Sequence, residues 1–261
     1  AKGGDGFSGG GDGDGLYLYT YDAQMADMEL PGGDIVVEAD VDARGGSATG
    51  NTGTLYGGYG GWIEAYADYD EYYGAITGVS SKVVFSGNFD ISGGSSLNSD
   101  SQSVADTGYF TLYGTSGVQL SGSVTADGGS DRAADGAGTA NGYGSHSTQQ
   151  WVWLEAPVGD VRSSARISKA GGNGEARGGD GGDVGMWGIN VYRTGAINVR
   201  GGAANPAISG STGGDGGWVE LFSGTGSGAS SGAVNISGGA GDTEGDEGGF
   251  WNLFTCVGAN C

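Results

Sequence analysis

Short runs of alternating apolar and polar residues recur along the chain, and they are of two kinds. The first closes on a double glycine: Val41-Asp42-Ala43-Arg44-Gly45-Gly46, Phe89-Asp90-Ile91-Ser92-Gly93-Gly94, Val124-Thr125-Ala126-Asp127-Gly128-Gly129, Ile167-Ser168-Lys169-Ala170-Gly171-Gly172, Ile197-Asn198-Val199-Arg200-Gly201-Gly202 and Val234-Asn235-Ile236-Ser237-Gly238-Gly239. Period-two alternation predicts a strand in each, with Lys169 the one poor fit. The second kind lies between these corners: Leu16-Tyr17-Leu18-Tyr19, Trp62-Ile63-Glu64-Ala65-Tyr66, Tyr109-Phe110-Thr111-Leu112-Tyr113, Trp151-Val152-Trp153-Leu154-Glu155, Val184-Gly185-Met186-Trp187, Trp218-Val219-Glu220-Leu221-Phe222 and Phe250-Trp251-Asn252-Leu253-Phe254. Turns such as Gly179-Asp180-Gly181-Gly182 and Gly214-Asp215-Gly216-Gly217 precede it. There glycine is expected to supply positive φ and Asp to bond the local backbone.

The second motif returns every 32 to 47 residues, so the unit is a strand, an arch, a strand and a variable loop. Such a unit cannot bury its inner face alone, and stacking on copies of itself solves that. The expected fold is therefore all-β: a parallel β-solenoid of stacked β-arches over residues 1–261. About six two-strand coils would form two facing sheets, roughly 4.8 Å per coil and about 29 Å long.

Alternation assigns the columns. Leu16/Leu18, Ile63/Ala65, Phe110/Leu112, Val152/Leu154, Val184/Met186, Val219/Leu221 and Trp251/Leu253 face inward against Val41/Ala43, Phe89/Ile91, Val124/Ala126, Ile197/Val199 and Val234/Ile236. The outward residues of the glycine-closed strands are polar, as a wetted face requires. The other outward column is not: Tyr17, Tyr19, Trp62, Tyr66, Tyr109, Tyr113, Trp151, Trp153, Trp187, Trp218, Phe222, Phe250 and Phe254 predict an aromatic ladder from end to end. An apolar surface of this extent marks a lateral contact with another subunit or a stacking face for sugar rings, unless the rings cover one another or a loop covers them.

The ends are expected to be uncapped. Ala1, Lys2, Gly3 and Gly4 read as the tail of a glycine-closed strand, making residues 1–15 an incomplete first coil. Phe250, Trp251, Asn252, Leu253 and Phe254 form a strand with no partner strand after it, making 250–261 an incomplete last coil. Open edges are templates for pairing, and a head-to-tail contact of this kind builds rings or filaments.

Composition narrows the function. Glycine fills 62 of 261 positions, with only 3 prolines and no third-residue period, which excludes helical bundles and collagen. The net charge of −21 argues against nucleic acid, and no apolar run approaches the roughly 20 residues of a membrane span. The 26 aromatic residues and a 16% charged content disfavour disorder. Both ends are acidic, so Asp12 and Asp14, and Asp242 and Asp246 with Glu244 and Glu247, are candidate ligands for Ca2+ bridging a contact. An acidic, solvated surface is the alternative. Gly171-Gly172-Asn173-Gly174-Glu175-Ala176 has Ala where a calcium nonapeptide needs Asp.

Catalytic chemistry is not expected. The single His146 cannot make a His-based zinc site, two cysteines are too few for a four-cysteine one, and no nucleophile elbow or phosphate loop occurs. Arg162, Arg166 and Lys169 form the basic cluster that a polysaccharide-cleaving enzyme would need more of. Cys256 and Cys261 suit a disulfide, within one chain or between neighbours, in an extracellular setting. Asn235-Ile236-Ser237 is a glycosylation sequon or a chance match. A first residue of Ala1 with no leader suits a mature secreted chain.

These repeats resemble two groups of surface proteins. The broader is the haemagglutinin-like adhesin β-solenoids. The narrower is the amyloid-like sheath proteins of filamentous methanogens, β-arch solenoids stacked edge to edge into hoops around cells. The resemblance runs from Gly11 to Phe254 and includes the half-coils at Ala1–Gly4 and Phe250–Phe254 and the Cys256/Cys261 pair, while Asp22–Pro31 and Asp68–Tyr73 lie outside it. It implies a self-assembling extracellular structural protein. The alternative is a surface adhesin that binds polysaccharide on the Trp/Tyr face.

Overall fold

The computed structural model describes residues 2–20, 33–50, 56–70, 74–75, 80–96, 106–130 and 151–253. These form strands and no helix: β1 (Leu16–Thr20), β2 (Ile35–Val37), β3 (Val41–Asp42), β4 (Ile63–Ala67), β5 (Tyr69–Asp70), β6 (Gly74–Ala75), β7 (Lys82–Asp90), β8 (Phe110–Gly114), β9 (Gly117–Thr125), β10 (Trp151–Ser163), β11 (Arg166–Ser168), β12 (Asp183–Arg193), β13 (Ile197–Asn198), β14 (Val219–Ser230), β15 (Val234–Asn235) and β16 (Phe250–Leu253). Apart from the antiparallel hairpin of β5 and β6, every pairing of these strands is parallel.

The pairings resolve into three parallel ladders that each pass of the chain visits in turn. The first runs β1, β4, β8, the opening halves of β10, β12 and β14, then β16. The second runs β2, the openings of β7 and β9, then the later halves of β10, β12 and β14. The third runs β3, the ends of β7 and β9, then β11, β13 and β15. Register shifts at Ala156/Asp160 and Gly188/Asn190 mark where β10 and β12 turn from the first ladder into the second.

The two-strand unit is thus corrected to three strand segments per pass. The second ladder lies where the sequence pattern placed a variable loop. Its inward pairs, among them Val83/Phe85, Val118/Leu120 and Val161/Ser163, pack into the same core as the other two ladders. Phe110, Phe85 and Phe89 come from the first, second and third ladders respectively, and their ring centroids lie 5.3 to 5.9 Å apart. Full burial of side chains of this size contributes about 1.5–3 kcal/mol each. Toward the ends the core thins: Leu16, Leu18, Val37, Val41, Val234 and Ile236 are only partly covered.

One inward column is also corrected. β16 pairs with Phe250 opposite Val219 and Asn252 opposite Leu221. Phe250 therefore stands at the register position of the inward Val219, the reverse of the expected assignment, although at this last strand its side chain is 40% exposed. The run Phe-Trp-Asn-Leu-Phe has large apolar residues at both parities, so alternation cannot choose between them, and a one-residue slip exchanges the faces.

The glycines act differently from the turn chemistry expected of them. Among the described residues, positive φ occurs only at Gly122, Gly210 and Asp68. The Gly-Asp-Gly-Gly turns do not use it. What they require is the absence of Cβ: a methyl at Gly202 would sit 1.8 Å from the Gly172 carbonyl oxygen. Without side chains, the arm leaving the third ladder and the arm entering the first interleave through backbone bonds. Gly179 N donates to Gly172 O, Gly202 N to Gly179 O, Gly214 N to Gly202 O and Gly239 N to Gly214 O, at 2.7 to 3.0 Å. The same seam runs through Gly11, Gly46, Gly58 and Gly94 at the other end. Buried backbone groups that would otherwise lack partners are satisfied there.

Candidate functional site

The outer face of the first ladder carries the residues singled out for contact, in three rows set by the register. The first row reads Gly15, Trp62, Tyr109, Trp151, Asp183, Trp218 and Gly249; the second reads Tyr17, Glu64, Thr111, Trp153, Gly185 and Glu220; the third reads Tyr19, Tyr66, Tyr113, Glu155, Trp187 and Phe222. The expected uninterrupted aromatic ladder is therefore corrected to a mosaic, in which carboxylates and glycines stand between groups of rings.

Tyrosine dominates the first three passes. Tyr19 stacks on Tyr66 at 5.3 Å and Tyr66 on Tyr113 at 6.2 Å, while Trp62 stacks on Tyr109 at 6.3 Å and meets Tyr17 edge-on at 5.9 Å. Burial grows inward along the third row, from an exposed Tyr19 to Tyr113 at 6%. Glu64 is central to this group and accepts a hydrogen bond from the Tyr19 hydroxyl at 3.1 Å. Burial first, and then Glu64, push the Tyr19 phenol well above its ordinary value. Burial, Tyr17 and Glu64 do the same to Tyr109.

Tryptophan dominates the later passes, and there the rings lie over glycine. A Cβ on Gly185 would meet the Trp153 ring at 2.0 Å and one on Gly249 the Trp218 ring at 2.2 Å; Gly15 is covered by Trp62 in the same way. The Trp153 indole N–H donates to Glu155 at 2.8 Å. Burial raises the Glu155 carboxyl above the usual range, and the indole bond partly opposes this. Trp187 and Trp218 remain 40% and 44% exposed. Trp62 Nε1 is buried with no partner. Rings with exposed faces beside carboxylate acceptors suit two kinds of contact: the aromatic core of a protein interface, or a sugar whose C–H face stacks while its hydroxyls donate to the acids.

Other expected sites fall as follows. Lys2 pairs with Asp5 at 3.9 Å, and Gly3 N donates to Arg44 O at 2.8 Å. Gly4 is exposed, and Trp251, Asn252 and Leu253 lie on β16. Ala1, Phe254, Cys256 and Cys261 lie outside the described residues, as does His146. Asp12 accepts from Tyr59 N, Asp242 from Gly210 N, and Asp246 N donates to Asp215 Oδ1, each at 2.8 Å. Asp14 is exposed. No group of three metal-ligating side chains forms among the described residues. The Asn235 amide donates to Asn198 at 3.0 Å, and Asn198 donates to Ser168 at 3.2 Å, so the outward side of the third ladder is a hydrogen-bonded polar column.

Two cations occupy inward columns. Lys169 belongs to the basic cluster only by sequence: it is fully buried, its ammonium donating to Thr107 Oγ1 at 2.5 Å and lying 3.5 Å from Gly108 O. Burial pulls its pKa down to about 8, against the opposing pull of Asp183, Asp106 and Asp127. Arg193, 2% exposed, replaces an aliphatic residue in the second ladder. It donates to Ser230 Oγ at 2.7 and 3.0 Å, and to Gly195 O and Gly232 O at 2.6 Å. Lys169 was visible as a break in alternation. Arg193 sits in the ladder that the pattern did not show.

No family model matches the chain, and no curated protein and no solved structure matches it either. Among the described residues, no helix is long and apolar enough to cross a membrane.

Proposed function

We propose that the three ladders are the sides of a parallel β-solenoid, and that copies of the chain stack head to tail into an extracellular fibre, hoop or sheath. The observation that carries this reading is the state of the ladder ends. Among the described residues, β1, β2 and β3 are each bonded to a strand on one side only, and so are β15 and β16. Because every strand of a ladder runs in the same direction, the open edge at one end can pair in parallel with the open edge at the other, and that pairing continues each ladder at about 4.8 Å per strand. Exposed Trp187, Trp218, Tyr17 and Tyr19 then supply lateral contacts, and the acidic remainder keeps the body solvated. The role is structural, not catalytic.

Negative-stain imaging and light scattering across a concentration series test it. Filaments or hoops are expected from the native chain, and Asp42→Pro should block their growth. Ala43 N bonds to Asp90 O, so in a parallel strand the Asp42 N–H faces the open side, where proline removes a donor without breaking the β3–β7 pairing. A monodisperse monomer at high concentration, with and without Ca2+, overturns the reading.

The second reading is a polysaccharide-binding adhesin, favoured by the placement of Glu64 and Glu155 among the rings. Glycan-array binding that disappears in Trp218→Ala, with assembly retained, selects it.

A further inference from the structure

We propose that the outer face of the second ladder holds a binding site for a carboxylated hexose, a uronic-acid ring, in a cleft floored by Gly117. The cleft has a volume of about 320 Å³ and is lined by Lys82, Val84, Gln119, Asp160 and Arg162 around that glycine. This volume lies at the lower end of the range for small-ligand sites. In the register Lys82 pairs with Gly117 and Gly117 with Asp160, so the middle position of an outward row lacks a side chain.

The corners border the gap. Only Thr115 and Ser116 separate β8 from β9, whereas in the following pass three residues stand between Ala156 and Asp160, where β10 is irregular. Ser116 and Gly159 from these two corners line the cleft beside Gly117.

The walls combine charges that suit one chemical class. Two of the chain's ten Lys and Arg residues converge here in a protein of net charge −21. Lys82 is exposed and takes part in none of the ion pairs found among the described residues. Arg162 is held in place: it bonds Asp160 Oδ2 at 2.6 Å and lies 4.1 Å over the Tyr192 ring. The other Asp160 oxygen accepts from Asn190 Nδ2 at 2.7 Å. A carboxylate meets Lys82 and the outer edge of Arg162, hydroxyls bond Gln119 and Asp160, and a ring face lies on Val84. A bare anion gains nothing from Gln119 and Val84 and is opposed by Asp160. A neutral sugar makes no use of the Lys82 ammonium. β2 stands between the cleft and the nearer ladder end, with Asp34 beside it accepting from Lys82 N at 2.8 Å, and no residue lining the cleft belongs to the aromatic rows, so the site stands or falls separately from the assembly reading.

Equilibrium dialysis of the full chain against D-glucuronate and D-galacturonate, with D-glucose and acetate as comparison ligands, tests the proposal in either the free or the assembled state. Saturable uronate binding is expected, with a Kd on the order of 1 mM for a single ring, and glucose and acetate weaker by about tenfold or more. Lys82→Gln should weaken uronate binding by about tenfold. Gly117→Val should abolish it by filling the floor. A Cβ at Gly117 comes no closer than 3.5 Å to Asp160 O and 3.7 Å to Lys82 Cγ, so the fold accommodates it, and an unchanged far-UV circular dichroism spectrum verifies that. The proposal is overturned by absence of saturable uronate binding, by glucose or acetate binding as tightly, or by undiminished binding in Gly117→Val.

Discussion

Leu154 and Gly202 both lie in the dry interior of the molecule, and they are held there by opposite means. Leu154 fills space between ladders with side-chain atoms, so its surroundings are defined by dispersion contacts and the exclusion of water. Gly202 fills no space. It lets the Gly172 carbonyl approach where a methyl would stand, and it both donates and accepts a backbone bond in the seam. The core tolerates error by partial collapse around a smaller side chain. The seam has nothing that can yield, because what a new atom would meet is backbone on both sides.

That contrast orders the expected effects. Gly202→Ala should be a severely damaging single methyl: relief of a 1.8 Å overlap with a carbonyl requires the arms to part. We expect a loss of more than about 4 kcal/mol, in the exceptional range for point changes, read from urea denaturation or as failure to fold. Leu154→Ala removes three carbons yet should cost less, about 2–5 kcal/mol with the fold retained. If Gly202→Ala proves milder than Leu154→Ala, the seam is looser than its geometry indicates.

The third test concerns Lys169, which stands where the core and the seam meet: its stem lies over Gly182, whose Cβ would come within 2.4 Å of Lys169 Cε. The folded chain binds this proton less tightly than the unfolded chain, about 8 against an ordinary 10.5. Between those values the unfolded state carries more protons, so stability rises with pH through that window and is lowest below pH 8. The rise should be on the order of 2–3 kcal/mol. Lys169→Met should remove this rise, as measured by denaturation midpoints from pH 7 to 10. The smallest effect is expected at Gly4→Ala, where a Cβ meets nothing within 4 Å. Gly4 O accepts a seam bond from Gly11 N, so a change within about 0.5 kcal/mol shows that a seam glycine is intolerant only where its Cβ would meet backbone.

The parts of this architecture that could be read from sequence are those in which side-chain alternation carries the information. The first and third ladders announce themselves through pairs such as Ile63/Ala65 and Ile197/Val199, all inward and buried. The second ladder was hidden for two reasons. Its inward pairs are short, and in two passes they read Val161/Ser163 and Val191/Arg193, with a polar residue at an inward position. The corner before it also differs in length from pass to pass, so it keeps no fixed distance from the first motif. The slip at β16 was hidden because Phe250 and Trp251 are both large and apolar. The aromatic face was legible residue by residue but not row by row, since which ring neighbours which carboxylate depends on register. The Gly117 cleft had no sequence signal, for it exists through what its neighbours add on either side.

The glycine seam also constrains how such a chain can change over generations. Glycine is encoded by four codons that share their first two bases, and every single-base change that alters the residue either introduces a Cβ or ends the chain. At Gly172, Gly202, Gly214 and Gly239, where that atom would overlap a neighbouring backbone carbonyl, inheritance is close to all-or-none. Substitution is left to the outward columns and the loops. A lineage of such proteins would keep its seam letter for letter while its faces diverge, so kinship between members would be recorded in the spacing of glycines long after it had faded from everything else.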